Sequence, residues 1–198
     1  MALAIIGPQY CSPYTMELSI VRKVMTLADG NFAVTDVNGN LLLKVKEKLL
    51  TWIHDKKHLV DPLGNTIITF RRKAITYHSR WEVFRGESTD DKDLIFTAKT
   101  HSMFHLKPKL DVFLANNTAK QACDFQVKGS YLDRSCTIFA GDASSNALVA
   151  QMHKKHTAGS IFLGKDNFMV TIYPNVDYAF IVALIVILDD INHEGQQS

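Results

Sequence analysis

Three groups of side chains in this sequence have the types and spacing for chemistry: lysines and arginines set in β-like runs, eight histidines, and three cysteines. Lys44, Lys46 and Lys48 alternate with Leu43 and Val45, and Arg71, Arg72 and Lys73 end a second run, Ile67-Ile68-Thr69-Phe70. A phosphoinositide headgroup carries several negative charges and is held by Lys or Arg converging from a stiff surface. Each cluster follows one of two similar turns, so neighbouring hairpins would bring these side chains into one solvent-facing patch. The competing explanation is that strands keep charged outer faces for solubility and to block edge pairing. Lys107-Pro108-Lys109 and Lys154-Lys155 are sparser candidates.

The remaining candidates point away from catalysis. His54-x-x-x-His58 and His153-x-x-His156 lack a third ligand, and Lys56 and Lys57 oppose a cation beside the first pair. They are read as surface histidines, with no metal site expected. Cys11, Cys123 and Cys136 fit neither a disulfide framework nor a paired zinc motif, which points to a reducing setting. Cys136 shares a strand face with Ile138 and is read as a structural thiol. No Gly-x-Ser-x-Gly elbow occurs, and Gly164-Lys165 lacks the Ser or Thr of a phosphate loop. A non-enzyme is expected, with no catalytic residues and no cofactor.

The elements that position these groups are short. The chain has 198 residues, 46% of them hydrophobic and 21% charged, which is ordinary for one globular domain and excludes collagen, disorder and disulfide scaffolds. A net charge of +2 gives no electrostatic footprint for nucleic acid. The apolar N-terminus lacks a charged leader region and meets Gly7-Pro8, Ala2 excludes myristoylation, and the acceptor pattern at Asn116-Asn117-Thr118 has no consequence without export. A cytoplasmic location is therefore expected.

About a dozen β segments are readable, at 18–26, 31–37, 41–48, 58–61, 66–73, 81–85, 94–100, 110–114, 124–129, 134–139, 147–153 and 168–173. Asn38-Gly39 is a strong hairpin signal, and Asp61-Pro62-Leu63-Gly64-Asn65 repeats the pattern of Asp36 to Asn40. Neither copy has the ligands of a calcium loop. Trp81, in phase with Val83 and opposite Glu82, is expected in the core, while Trp52 is ambiguous. Asp90-Asp91-Lys92-Asp93 reads as a solvated loop.

The run Tyr178 to Leu188 has no polar face and is too short to cross a bilayer, so it must be enclosed by protein. It reads as a helix starting near Asp177 with Asn175 as its cap, a buried core strand being the alternative. Tyr178, Phe180, Ile181, Leu184, Ile185 and Leu188 would be central packing residues, and the strands before them the enclosure. A barrel of this strand number leaves a lumen that such a helix would fill. Function would then lie on the outer face or the loops.

Asp36-Val37-Asn38-Gly39-Asn40-Leu41, Arg80-Trp81-Glu82-Val83-Phe84-Arg85-Gly86, Lys109-Leu110-Asp111-Val112-Phe113-Leu114, Cys123-Asp124-Phe125-Gln126-Val127-Lys128-Gly129-Ser130 and Phe162-Leu163-Gly164-Lys165-Asp166-Asn167-Phe168 resemble the plant LURP-one-related family. The resemblance covers one domain, about 10–192, flanked by short tails at 1–9 and 193–198. It implies a mostly β fold similar to the tubby C-terminal domain and the phospholipid scramblases: a closed barrel of about twelve strands around a hydrophobic C-terminal helix. It also implies a non-enzymatic module in plant defence, similar to a membrane-tethered, phosphoinositide-binding transcriptional regulator, with anionic phospholipid membrane as partner and the plasma membrane and nucleus as further locations. The alternative is a protein-interaction scaffold in defence signalling without lipid binding, its protein partners unknown. A cysteine-rich palmitoylation cluster and an acidic calcium segment of the scramblase type are both missing from the sequence.

Overall fold

Period-two alternation, repeated along the chain, gives strands with one apolar face, and such faces must be buried against something. The computed structural model describes residues 2–22, 32–47, 56–75, 78–100, 109–145, 147–154 and 167–194. Twelve strands precede one helix: β1 (Met16–Arg22), β2 (Phe32–Thr35), β3 (Leu41–Glu47), β4 (Lys56–Val60), β5 (Thr66–Ile75), β6 (His78–Arg85), β7 (Leu94–Thr100), β8 (Leu110–Leu114), β9 (Phe125–Lys128), β10 (Thr137–Ala140), β11 (Leu148–Lys154), β12 (Asn167–Ile172) and α1 (Tyr178–Glu194). Each strand pairs antiparallel with the next, and β1 pairs with β12, so the sheet closes into a barrel with no free edge.

The turns hold the meander in register. Asp36 and Asp61 each accept hydrogen bonds from the backbone and side-chain amides of Asn40 and Asn65 respectively, all between 2.7 and 2.8 Å. The Asn38-Gly39 hairpin forms, but as a three-residue loop closed by Asp36 N–H donating to the Asn40 carbonyl at 3.0 Å. Gly39 supplies the left-handed conformation at φ 84°, and Gly64 does the same at 97°.

The C-terminal run is a helix inside the barrel, not a strand. Phe180 is fully buried and meets Phe96 edge-on at 5.2 Å and Phe125 at 4.7 Å. Ile181, Leu184, Ile185 and Leu188 are buried with it, among inward residues including Leu43, Phe70, Trp81 and Val112; Tyr178 is half-buried. Each such side chain contributes roughly 1.5–3 kcal/mol by burial, so the plug outweighs the modest helix propensity of its Val and Ile residues. Among the described residues no helix is long and apolar enough to cross a membrane.

The helix start differs from expectation. Its cap is Asp177, whose Oδ1 accepts the Phe180 N–H at 3.0 Å, while Asn175 takes a left-handed turn at φ 64°. The other carboxylate oxygen of Asp177 accepts the N–H groups of Ile5, Ile6 and Gly7 at 3.1, 2.7 and 3.0 Å. The segment before Tyr10 is thus stitched to the helix N-terminus, and Arg85 adds a bond from Nη1 to the Ile6 carbonyl at 2.9 Å. At the far end Lys57 pairs with Asp190, and Tyr131 donates its hydroxyl to the buried Asp189 at 2.8 Å.

Candidate functional site

Apart from the Lys57–Asp190 and Tyr131–Asp189 contacts at the far end of the helix, a cluster of ionisable groups converges on the outer face of β5 to β8. Strand pairing sets Arg71 opposite Glu82, Lys73 opposite Arg80, Glu82 opposite Thr97, and Arg80 opposite Lys99. Glu82 is the hub. Its carboxylate is 3% exposed and receives Arg71 at 2.6 and 2.9 Å, Lys73 at 3.0 Å and Arg80 at 3.3 Å. Burial pushes this carboxyl up, but the hydrogen bonds and charges of Arg71 and Lys73 outweigh that and hold it below the ordinary Glu range. Arg71 also donates to the Thr89 carbonyl at 3.0 Å and lies 4.5 Å over the ring of Phe84, an outward aromatic with no exposure.

The wall continues across β7 and β8. Lys99 stands 5.6 Å over the Phe113 ring, and Asp111, opposite Lys99, accepts Gln126 at 2.7 Å and faces Lys109 at 3.9 Å. The loop between β8 and β9 adds Lys120, which sits in the left-handed region at φ 50° with its N–H donated to Asn117 Oδ1 at 3.1 Å. Asn117 is itself fixed by bonds to the Ala122 carbonyl and Asp124. Burial lowers the pKa of Lys120, and the positive charges of Arg80 and Lys99 lower it further against the pull of Glu82.

The sequence-derived cations are distributed differently. Arg71 and Lys73 belong to this wall. Arg72 falls in the phase of the inward Ile68 and Phe70 but is itself exposed, with its guanidinium 5.9 Å from the Trp81 ring. A run of three cations cannot share one strand face when side chains alternate. Lys44 and Lys46 lie on β3, with Lys46 opposite His58, which in turn faces Thr69; the buried His58–Thr69 hydrogen bond of 3.0 Å stands between them and Arg71. Lys48 is outside the described residues, as are Trp52, His54, Lys107, Lys155, His156 and the segment 155–166 with its Gly164-Lys165 pair.

Other expectations resolve individually. His58 is buried rather than on the surface, because its ring closes a side-chain bond to Thr69 across the β4–β5 pairing. His153 stays near the surface, 3.6 Å from Glu17. Cys136 is buried, and burial pushes its thiol up to about 12, which suits a structural residue. Trp81 is 1% exposed, and among the described residues no three His, Cys, Asp or Glu are grouped to hold a metal. Sequence reasoning missed Glu82 as a hub, and Arg80, Lys99 and Lys120 as members. Alternation around Trp81 places Arg80 and Glu82 outside, but nothing local pairs them with Arg71.

The class that this geometry defines is an antiparallel barrel plugged by its own last helix, with its convergent charges outside. The chain belongs to the LURP-one-related family, whose family model matches residues 16–189. It is 61% identical over 196 residues to Protein LURP-one-related 10 of Arabidopsis thaliana, covering 98% of this chain and 100% of that one. Protein LURP-one-related 15 of the same plant is 58% identical over 192 residues, or 97% of this chain and 87% of the relative. A solved X-ray structure of an Arabidopsis thaliana protein superposes with a TM-score of 0.74 at 51% identity, covering 96% of this chain and 98% of that one.

Proposed function

We propose that this protein is a non-enzymatic regulatory module that works from its outer surface, attaching reversibly to phosphoinositide-bearing membranes through the β5–β8 wall. The observation that carries this reading is the concentration of Arg71, Lys73, Arg80, Lys99, Lys109 and Lys120 around Glu82 and Asp111, in a chain whose net charge is just +2. A local surplus of cations on a stiff sheet attracts an anionic surface to within about a Debye length. Attachment of this kind suits a regulator held at the membrane and released for transcriptional or defence signalling.

Flotation with vesicles tests the reading. Phosphatidylcholine vesicles containing phosphatidylinositol 4,5-bisphosphate are expected to carry the protein upward at low salt, and phosphatidylcholine alone is not. Equal recovery from the two, unchanged when Lys73, Lys99 and Lys120 are reversed to Glu, would remove the membrane role. The second reading, a protein-interaction scaffold, draws on Tyr14, Val37 and Leu63, which are 77%, 69% and 89% exposed. All lie at the barrel end where the helix enters, beside the turns Asp36–Asn40 and Asp61–Asn65. Apolar tips of this kind suit a protein partner, and binding that persists through the charge reversals would favour it.

A further inference from the structure

We propose that Arg80, Lys99 and Lys120, with the Thr97 hydroxyl beneath them, form a discrete site for a phosphate monoester. The inference rests on the reading of the wall as an anion-binding surface and deepens it, replacing diffuse attraction by one built site. Its ligand chemistry is shared by a phosphoinositide headgroup and a free inositol phosphate.

The fold leaves several polar and charged groups on this wall unanswered. Arg80 and Lys99 are direct partners across β6 and β7, an arrangement that is unfavourable for like charges. Lys120 is brought to the same place by a loop that holds it in a left-handed conformation rarely adopted by side chains with a Cβ. Three cations are thus crowded together. Glu82 does not neutralise them all, because its oxygens are occupied by Arg71 and Lys73 as well as by one Arg80 nitrogen. Lys99 and Lys120 form no ion pair among the described residues.

Of the four buried side-chain polar atoms without a hydrogen-bond partner among the described residues, two lie on the neighbouring strands of this wall, Arg80 Nε and Thr97 Oγ1; the others are Trp81 Nε1 and Arg134 Nη1. Thr97 is 1% exposed, and its strand position is between Glu82 and Phe113. Buried polar atoms without partners are uncommon in folded proteins and call for an explanation. A phosphate monoester, with close to two negative charges and three acceptor oxygens at neutral pH, answers the unmatched donors and the excess charge together. Arg80 would supply its free edge, the lysines point charges, and Thr97 a hydroxyl at the floor.

Calorimetric titration with inositol 1,4,5-trisphosphate, with unphosphorylated inositol as the blank, tests the site. Binding is expected for the phosphorylated probe alone. Lys99→Met or Lys120→Met should each weaken it by about tenfold or more, and Thr97→Val by a few-fold, as expected for charged and neutral donors respectively. Affinity should also fall as pH rises through the lowered pKa of Lys120, since the ammonium is the binding form. In the ligand-free protein Lys120→Met should leave the melting temperature unchanged or raised, because it relieves crowding; a residue kept only for folding would lower it.

Equal affinity in wild type and all three variants would overturn the proposal. So would vesicle binding that survives Lys99→Met and Lys120→Met while the soluble probe fails to bind, and that result would leave the membrane reading standing. Soluble-probe binding lost in Lys120→Met, with no vesicle flotation in wild type, would support the site and remove the membrane reading.

Discussion

The two faces of β5 to β8 are built from alternate residues of the same strands and end in opposite states. Inward, Phe70, Trp81, Val83, Phe96, Ala98 and Val112 are at most 2% exposed and pack toward the helix. Outward, Arg71, Glu82, Arg80, Thr97 and Lys99 form a polar lattice in which one carboxylate serves several cations and two buried donor groups lack partners. The interior is tightly packed, with Trp81 Nε1 there also lacking a hydrogen-bond partner, and adding or deleting a group is felt as strain or cavity. The exterior has charge left over. Packing against the helix and the outward ion pairs are therefore carried by different side chains only one residue apart.

The strongest way to break this comparison is through the plug. Phe180→Ala deletes the ring that touches Phe96 and Phe125, and a cavity of that kind costs about 3–5 kcal/mol. Urea unfolding should show the loss as a lower midpoint with an unchanged slope. Vesicle flotation at a temperature where the variant remains folded should match wild type. Loss of binding by the folded variant would mean that interior packing and outer wall are coupled after all.

Glu82→Gln should have a smaller effect on stability and an opposite one on binding. It leaves Arg71, Lys73 and Arg80 around a neutral, buried amide. Removing one member of a buried pair can cost 3–5 kcal/mol, but these cations keep contact with water, so a loss of about 2 kcal/mol is expected. The carboxyl's folded pKa is depressed, so its stabilisation is present above the unfolded value and is lost as pH falls through the folded one. Wild type should thus lose stability on acidification below the ordinary Glu range of about 4.3, and the variant should lose less over that window. At neutral pH and low salt the variant should float with phosphoinositide vesicles more strongly, because the wall gains one net positive charge. Weaker flotation by a folded variant would show that Glu82 orients the cations in addition to offsetting them.

The inner face was largely legible in the sequence. Leu43 and Val45 alternating with lysines, Trp81 in phase with Val83, and the uninterrupted run after Asp177 are local patterns, and local patterns fix which face is buried. The family resemblance, matched by the family model over residues 16–189, supported the closure of the strands into a barrel. The outer site was much less legible, because its members meet through register. Arg71 and Glu82 become partners only when β5 pairs with β6 in one alignment, and a slip of one residue would put Glu82 opposite Arg72 or the inward Phe70. Lys120 depends on a loop held by Asn117 and Asp124, and His58 is buried because Thr69 arrives from the next strand. Similarly, Asp177 was visible as a helix-start residue, but its bonds to Ile5, Ile6 and Gly7 join parts of the chain some 170 residues apart. The separation of Arg72 from Arg71 and Lys73 was readable in principle, since period two alone splits three consecutive side chains.

The smallest expected effect sharpens the boundary of the outer site. Lys44 and Lys46 are basic residues on a neighbouring hairpin, and simple proximity in sequence pattern would rank them with Arg71. In the fold, the Lys46 ammonium reaches over the Asp61–Asn65 turn, where a Cβ on Gly64 would meet it at 3.2 Å, and the His58–Thr69 pair separates β3 from the wall. Reversing both to Glu changes the net charge by four units, so long-range attraction to an anionic vesicle should decline modestly at low salt. That decline should vanish near physiological ionic strength, where the Debye length is about 8 Å. Lys99→Glu with Lys120→Glu makes the same formal change in charge, yet its effect should persist in salt because those groups are half-buried and would contact the ligand directly. Flotation of the two double variants side by side across a salt series distinguishes a site from a charge total. Curves that coincide at every salt concentration would reduce the wall to net charge, and curves that separate as salt rises would locate recognition on β6, β7 and the loop that carries Lys120.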